Sequence, residues 1–92
     1  MIARIATESQ YRLDDDAAAQ LNELDNDAVS AVDSGDEDRF HEVFEQMLDL
    51  VRREGSPLGE DELEESDVIL PPPDISFLEA GAEFTGEGLI PD

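Results

Sequence analysis

A chain of 92 residues without cysteine is long enough for one domain with a small core, since at this size only roughly 60–65% of the unfolded surface is buried. The missing thiols exclude a disulfide framework, a thiolate zinc site and a cysteine nucleophile. Twenty-six acidic residues stand against five basic ones, for a net charge of −21, which disfavours direct contact with DNA, RNA or anionic lipid because binding phosphates needs clustered cations.

The first thirteen residues predict two short strands forming a hairpin. Ile2 and Ile5 flank polar Arg4, Thr7-Glu8-Ser9 reads as a turn, and Gln10-Tyr11-Arg12-Leu13 resumes with Tyr11 and Leu13 on one side. Any of Asp14, Asp15 or Asp16 can cap a following helix, with the remaining carboxylates facing the positive end of its dipole. Ala17, Leu21, Leu24, Ala28 and Val32 then trace one apolar stripe, leaving Asn22, Glu23, Asp25, Asn26 and Asp33 elsewhere on the helix. The spacing predicts a helix from about Asp15 to Ser34, closed by Gly35.

Asp36 caps a second helix whose stripe is wider, comprising Phe40, Val43, Phe44, Met47, Leu48, Leu50 and Val51. Such a face can pack on two sides and marks the centre of the core. Arg52 and Arg53 suit the carbonyl end, and Gly55 with Pro57 stops the helix. The short connection makes the pair an antiparallel helical hairpin.

An acidic loop follows from Ser56 to Asp67, with Leu58 and Leu63 as anchors. Val68-Ile69-Leu70 is a brief β-favouring run that suits a strand beside the amino-terminal one, and Pro71-Pro72-Pro73 ends it. Ser76 and Glu79 form a Ser-x-x-Glu capping box that opens a short helix over Phe77, Leu78, Ala80 and Phe84. Gly81 weakens this helix, Gly86 and Gly88 end it, and Leu89-Ile90 before Pro91 forms a last apolar tether. The fold class expected is α+β: an antiparallel helical hairpin packed with a small two- or three-stranded sheet and a short carboxy-terminal helix, in a single domain over residues 1–92.

Three readings of the charge compete: a disordered acidic chain, a mimic of nucleic-acid phosphate, and an ordinary fold with a surface adapted to molar salt. The periodic apolar residues, 39% of the chain, argue against disorder. Carboxylates in every segment argue against a mimic, which would gather them on one face. Salt adaptation fits best, because at molar salt the Debye length falls to about 3 Å and self-repulsion fades. Met1-Ile2-Ala3-Arg4-Ile5 turns polar too soon for a signal peptide, and no apolar run reaches the ~18 residues of a membrane span. A cytoplasmic location without membrane insertion is the expectation.

Little here carries chemistry. His41-Glu42-Val43-Phe44-Glu45 is a thin likeness of a metalloprotease helix, with glutamate where the second histidine belongs and no third ligand. No acidic cluster fits a calcium loop, and the glycines lack the strand and helix that a phosphate loop needs. No catalytic residue, metal or cofactor is expected. The triple proline reads either as a polyproline ligand or as a stiff connector aiming the last helix, and its neighbours favour the connector.

Read end to end, the chain resembles the phage-shock-protein-A-associated family, PspAA, in a haloarchaeal form. The likeness rests on Met1-Ile2-Ala3-Arg4-Ile5, Gln10-Tyr11, Leu21-Asn22-Glu23-Leu24-Asp25, Leu50-Val51-Arg52-Arg53-Glu54-Gly55 with Pro57-Leu58, Asp61-Glu62-Leu63, Ser66-Asp67-Val68-Ile69-Leu70-Pro71 and Gly88-Leu89-Ile90-Pro91. It departs from the pattern at Ser9, where glycine is expected. The resemblance implies a partner rather than a reaction: a non-enzymatic companion of the membrane-stress coiled-coil protein PspA, brought to the inner membrane face through that partner. It supplies no mapped contact surface. The candidate surface is the helical hairpin or the apolar ledge of Val68, Ile69, Leu70, Pro71, Pro72 and Pro73. An acidic DNA-mimic inhibitor and a structural homodimer are the alternatives.

Overall fold

The computed structural model describes residues 1–6, 8–59, 61, 64–84 and 88–90. Thr7, Leu63, Gly86 and Pro91, which the sequence places in a turn, as an anchor, at a helix end and just after the tether, lie outside the described residues. The elements run β1 (Ile2–Ile5), β2 (Gln10–Arg12), α1 (Asp15–Ser34), α2 (Glu37–Glu54), β3 (Ser56–Pro57), β4 (Val68–Leu70) and α3 (Phe77–Glu83). This is the expected α+β fold, with one strand more than expected. The two exposed residues of β3 pair with β2 through Tyr11 opposite Pro57 and Arg12 opposite Ser56, giving a four-stranded sheet of order β3-β2-β1-β4.

Helix limits follow from capping. Asp14 accepts a hydrogen bond from the Ala17 amide at 2.8 Å, and Asp36 accepts one from the Arg39 amide at 3.1 Å. Gly35 takes φ 72°, and its amide and that of Asp36 donate back to the Val32 and Ala31 carbonyls at 3.1 and 2.9 Å, so the chain reverses within two residues. Gly55 answers a different need: a Cβ there would sit 2.4 Å from the Val51 carbonyl oxygen and 2.8 Å from the Tyr11 Cβ. Only glycine lets the end of α2 pass so close to β2.

β1 lies at the centre of the sheet, antiparallel to β2 and parallel to β4. Period-two alternation turns Ala3, Ile5, Val68 and Leu70 toward the helices, where they join the Phe40, Val43, Met47 and Val51 face of α2 in one core. Ile2, Arg4, Gln10, Arg12 and Ile69 share the opposite face by register. Ser9 is exposed, and no residue other than glycine has a positive φ among the described residues, so serine meets no backbone strain at the departure from the family pattern.

Four phenylalanines join α2 to α3. The Phe40 ring lies 5.6 Å from Phe44, 5.9 Å from Phe77 and 5.1 Å from Phe84. In α3, Ala80 and Phe84 are buried, but Leu78, expected on the apolar side, is 89% exposed. A seven-residue helix seats one stripe only, and Leu78 falls off it.

The main correction concerns α1. Leu24 and Val32 are only partly buried, and Asp25, read from the sequence as off the stripe, is fully buried. Its carboxylate accepts the Leu89 amide at 3.0 Å and the Ile90 amide at 2.9 Å. Gly88 precedes them at φ 83°, where a Cβ would lie 2.6–2.8 Å from the carboxylate. The carboxylate thus holds the Gly88-Leu89-Ile90 backbone against α1, and the tether depends on that acid as well as on its two apolar side chains.

Candidate partner surface

The ledge begins at Asp67, which locks the start of β4 to β1. Its amide donates to the Ile2 carbonyl at 2.8 Å and its Oδ2 accepts the Ile2 amide at 2.7 Å. From there the alternation of a half-buried strand divides the candidate residues. Val68 and Leu70 point into the core and Pro71 is buried behind them, whereas Ile69 is 58% exposed. Pro72 is half-buried and Pro73 exposed. The surface within this ledge is therefore Ile69, Pro72 and Pro73, with Val68, Leu70 and Pro71 mainly supporting it.

The prolines form a connector. The Ile75 amide donates to the Pro72 carbonyl at 3.1 Å, closing a turn that contains Pro73, so the three prolines do not run on as one extended polyproline segment. Ser76 then caps α3: its Oγ accepts the Glu79 amide at 3.2 Å and donates to Glu79 Oε1 at 3.0 Å. The prolines thus form a ridge with a groove on each side. One groove, of about 410 Å³, has Ile69, Leu70, Pro72 and Ile75 as its floor and Glu79 and Glu83 as its α3 wall. The other, of about 300 Å³, runs between Pro73 and α2 past His41, Phe44, Glu45 and Arg52. A third groove of about 400 Å³ lies between the two long helices, where Leu24 and Leu50 are bordered by Glu23, Asp27, Asp49 and Arg53.

His41 is exposed, its ring 5.4 Å from Phe40. Among the described residues no group of three or more histidine or acidic side chains could hold a metal ion. No helix there is long and apolar enough to cross a membrane.

Two polar anchors escaped the pattern reading. Gln10 is buried, and its amide nitrogen donates to the Glu64 carbonyl and, at 2.8 Å, to Ser66 Oγ, while its oxygen accepts the Glu64 amide at 3.3 Å. With the Arg12–Glu64 ion pair, this holds the end of the acidic loop, at Glu64 and Ser66, against the outer face of the sheet. Glu8 and Arg52 pair across the first turn and the end of α2, and hydrogen bonding from the Arg52 guanidinium holds the Glu8 carboxyl below its usual range. A lowered carboxyl pKa contributes stability above the unfolded pKa, and that stability is lost as pH falls through the folded value. Both side chains are partly exposed, so solvent screening limits the pair to about 0.2–1 kcal/mol. Glu8→Gln is expected to flatten the acid side of the stability-against-pH curve by that small amount and leave neutral-pH structure unchanged, as checked by urea melts across pH 3–7 (roughly the carboxyl titration range).

With the ledge and its grooves defined, comparison with known proteins adds one positive finding. The PspAA family model, described as PspA-associated protein, matches residues 1–92, the whole chain. No curated protein and no solved structure gives a significant match. Three pairs among the segments that carry the likeness meet in the fold: Asp25 accepts from the Leu89 and Ile90 amides, Gln10 donates to Ser66, and Asp67 accepts from the Ile2 amide. The chain belongs to the PspAA family of PspA-associated proteins.

Proposed function

We propose that this chain is a non-enzymatic interaction module that accompanies a PspA-like coiled-coil protein in a high-salt cytoplasm, and that it reaches the inner membrane face through that partner. The observation carrying the proposal is the family match over the full length. The contact surface is the ridge of Ile69, Pro72 and Pro73 with the groove beside it. Exposed apolar residues grouped on a rigid element mark a partner surface better than scattered ones, and Ile69 is 58% exposed directly beside the prolines.

Copurification with a PspA-like coiled-coil protein in molar KCl tests this reading. The chain is expected to be retained, with retention reduced at least about tenfold by Ile69→Asp. Absence of copurification would count against the partnership. Equal retention of the variant would move the contact away from the ledge.

A net charge of −21 on a chain this small supports the salt-adapted part of the proposal, since self-repulsion destabilises a compact state and salt screens it. Thermal melts followed by circular dichroism are expected to show a higher midpoint in molar KCl than in dilute buffer. Equal midpoints would remove the support for salt adaptation.

A further inference from the structure

We infer that the seat of the Gly88-Leu89-Ile90 tether on α1 also takes the same segment from a second copy of this chain, so that two copies join by exchanging tethers. The inference concerns a surface apart from the ledge and goes beyond the partner reading.

The seat is built to recognise one segment in one register. Asp25 is fully buried, and its two oxygens take consecutive amides, Oδ1 that of Leu89 and Oδ2 that of Ile90. Only glycine fits the position before them, since the backbone there has φ 83° and a Cβ would lie 2.6–2.8 Å from the carboxylate. Ile90, 8% exposed, completes the match with an apolar side chain. Burying a carboxylate is unfavourable unless its hydrogen bonds are made, and simple adhesion needs no such group, because an apolar residue of similar size holds a segment as well. What the carboxylate adds is selection of a segment and its register.

The tether is also separable from the rest of the fold. Among the described residues, no main-chain group of Gly88, Leu89 or Ile90 bonds to another main-chain group, whereas β4 is joined to β1 by a ladder. The tether can leave its seat in a local opening that keeps the helical hairpin and the sheet intact.

Every copy carries both halves of this contact, and a tether seated on a neighbour makes the same hydrogen bonds as one seated on its own chain. Exchange is therefore neutral in contacts and closes after two copies. Two features of the single copy favour it. Three residues separate Phe84 from Gly88, a reach of at most roughly 14 Å, so an exchanged tether brings α3 of one copy against α1 of the other. α3 carries Leu78, an apolar side chain 89% exposed. α1 carries Asn22, one turn before Asp25 and on its side of the helix, and the buried Oδ1 of Asn22 has no hydrogen-bond partner among the described residues. A second copy docked through its tether approaches both. Repulsion between two chains of net charge −21 confines the pair to high salt.

Two full-length variants test the exchange in molar KCl at about 1 mM chain, within the range of effective concentrations that a short connection supplies inside one copy. Asp25→Ala keeps the tether and loses the seat, whereas Leu89→Asp/Ile90→Asp keeps the seat and loses the tether. By light scattering each is expected to be monomeric by itself, and an equimolar mixture is expected to contain a dimer. In that mixture the Leu89 and Ile90 amides of the Asp25→Ala chain should exchange hydrogen at least about tenfold more slowly than in that chain alone. A mixture that stays monomeric, or a dimer that either variant forms unaided, would overturn the inference. Circular dichroism checks that both variants fold. Hydrogen exchange of the unmodified chain supplies a test free of substitutions: the Leu89 and Ile90 amides should exchange at least about tenfold faster than those of Val43 and Val51 in α2. Equal rates would show that the tether opens only with the whole fold, and would overturn the inference as well.

Discussion

Replacing Asp25 with alanine is expected to destabilise the fold by about 2–4 kcal/mol, as read from urea unfolding in molar KCl. The side chain is fully buried and accepts the Leu89 and Ile90 amides at 3.0 and 2.9 Å. Hydrogen bonds to a charged acceptor each contribute about 1.5–3 kcal/mol, and their removal strands two amides in the interior, although the carboxylate's own desolvation is relieved. Asparagine does not rescue the site, because its single carbonyl oxygen serves one amide and its NH₂ faces the other. Gly88→Ala is expected to be costly for two reasons. At φ 83° an L residue is strained, and its Cβ would meet the carboxylate at 2.6–2.8 Å. The clash disappears once the carboxylate is gone, so the two substitutions should couple by about 1 kcal/mol or more in a double-mutant cycle. Strictly additive costs would mean that Asp25 does not hold the tether as described.

Phe40→Ala should be comparably severe, at about 3–5 kcal/mol, because it deletes a fully buried ring and leaves a cavity. With Phe44, Phe77 and Phe84 rings all within 6 Å of it, the loss falls on the junction of α2 and α3. For a chain of this size each kcal/mol lowers the melting midpoint by about 4–8 °C. Phe40→Leu, which keeps most of the buried volume, should cost much less. A small effect of the alanine variant on the melt would show that α3 does not depend on this aromatic junction.

Much of the fold was legible because its boundaries are marked by chemistry with one local meaning. Asp14, Asp36 and Ser76 are caps, Gly35 is a left-handed stop, and the stripe of α2 is wide enough to leave no doubt about its face. β3 was not legible. It consists of two exposed residues, one of them proline, and becomes a strand only because β2 lies beside it. Asp25 was missed for a related reason: periodicity counts every carboxylate as solvent-facing, whereas this one meets partners 64 and 65 residues away in sequence. Gln10 hid in the same manner, its partners being Glu64 and Ser66. The ledge was visible as an apolar run. Which of its residues face outward followed only from pairing with β1, which sets Ile69 beside Arg4 and turns Val68 and Leu70 inward. The groove beside it needed the turn at Pro72–Ile75 and the placement of α3, neither of which an apolar pattern encodes.

The most direct test of the partner surface is residue-resolved NMR of the full chain in molar KCl, titrated with a PspA-like coiled-coil protein. Perturbations are expected to concentrate at Ala6, Ile69, Leu70, Ile75, Glu79 and Glu83, the amide-bearing residues that line the β4–α3 groove. A perturbed face on the outer side of α1 and α2, or no perturbation at all, would contradict the account.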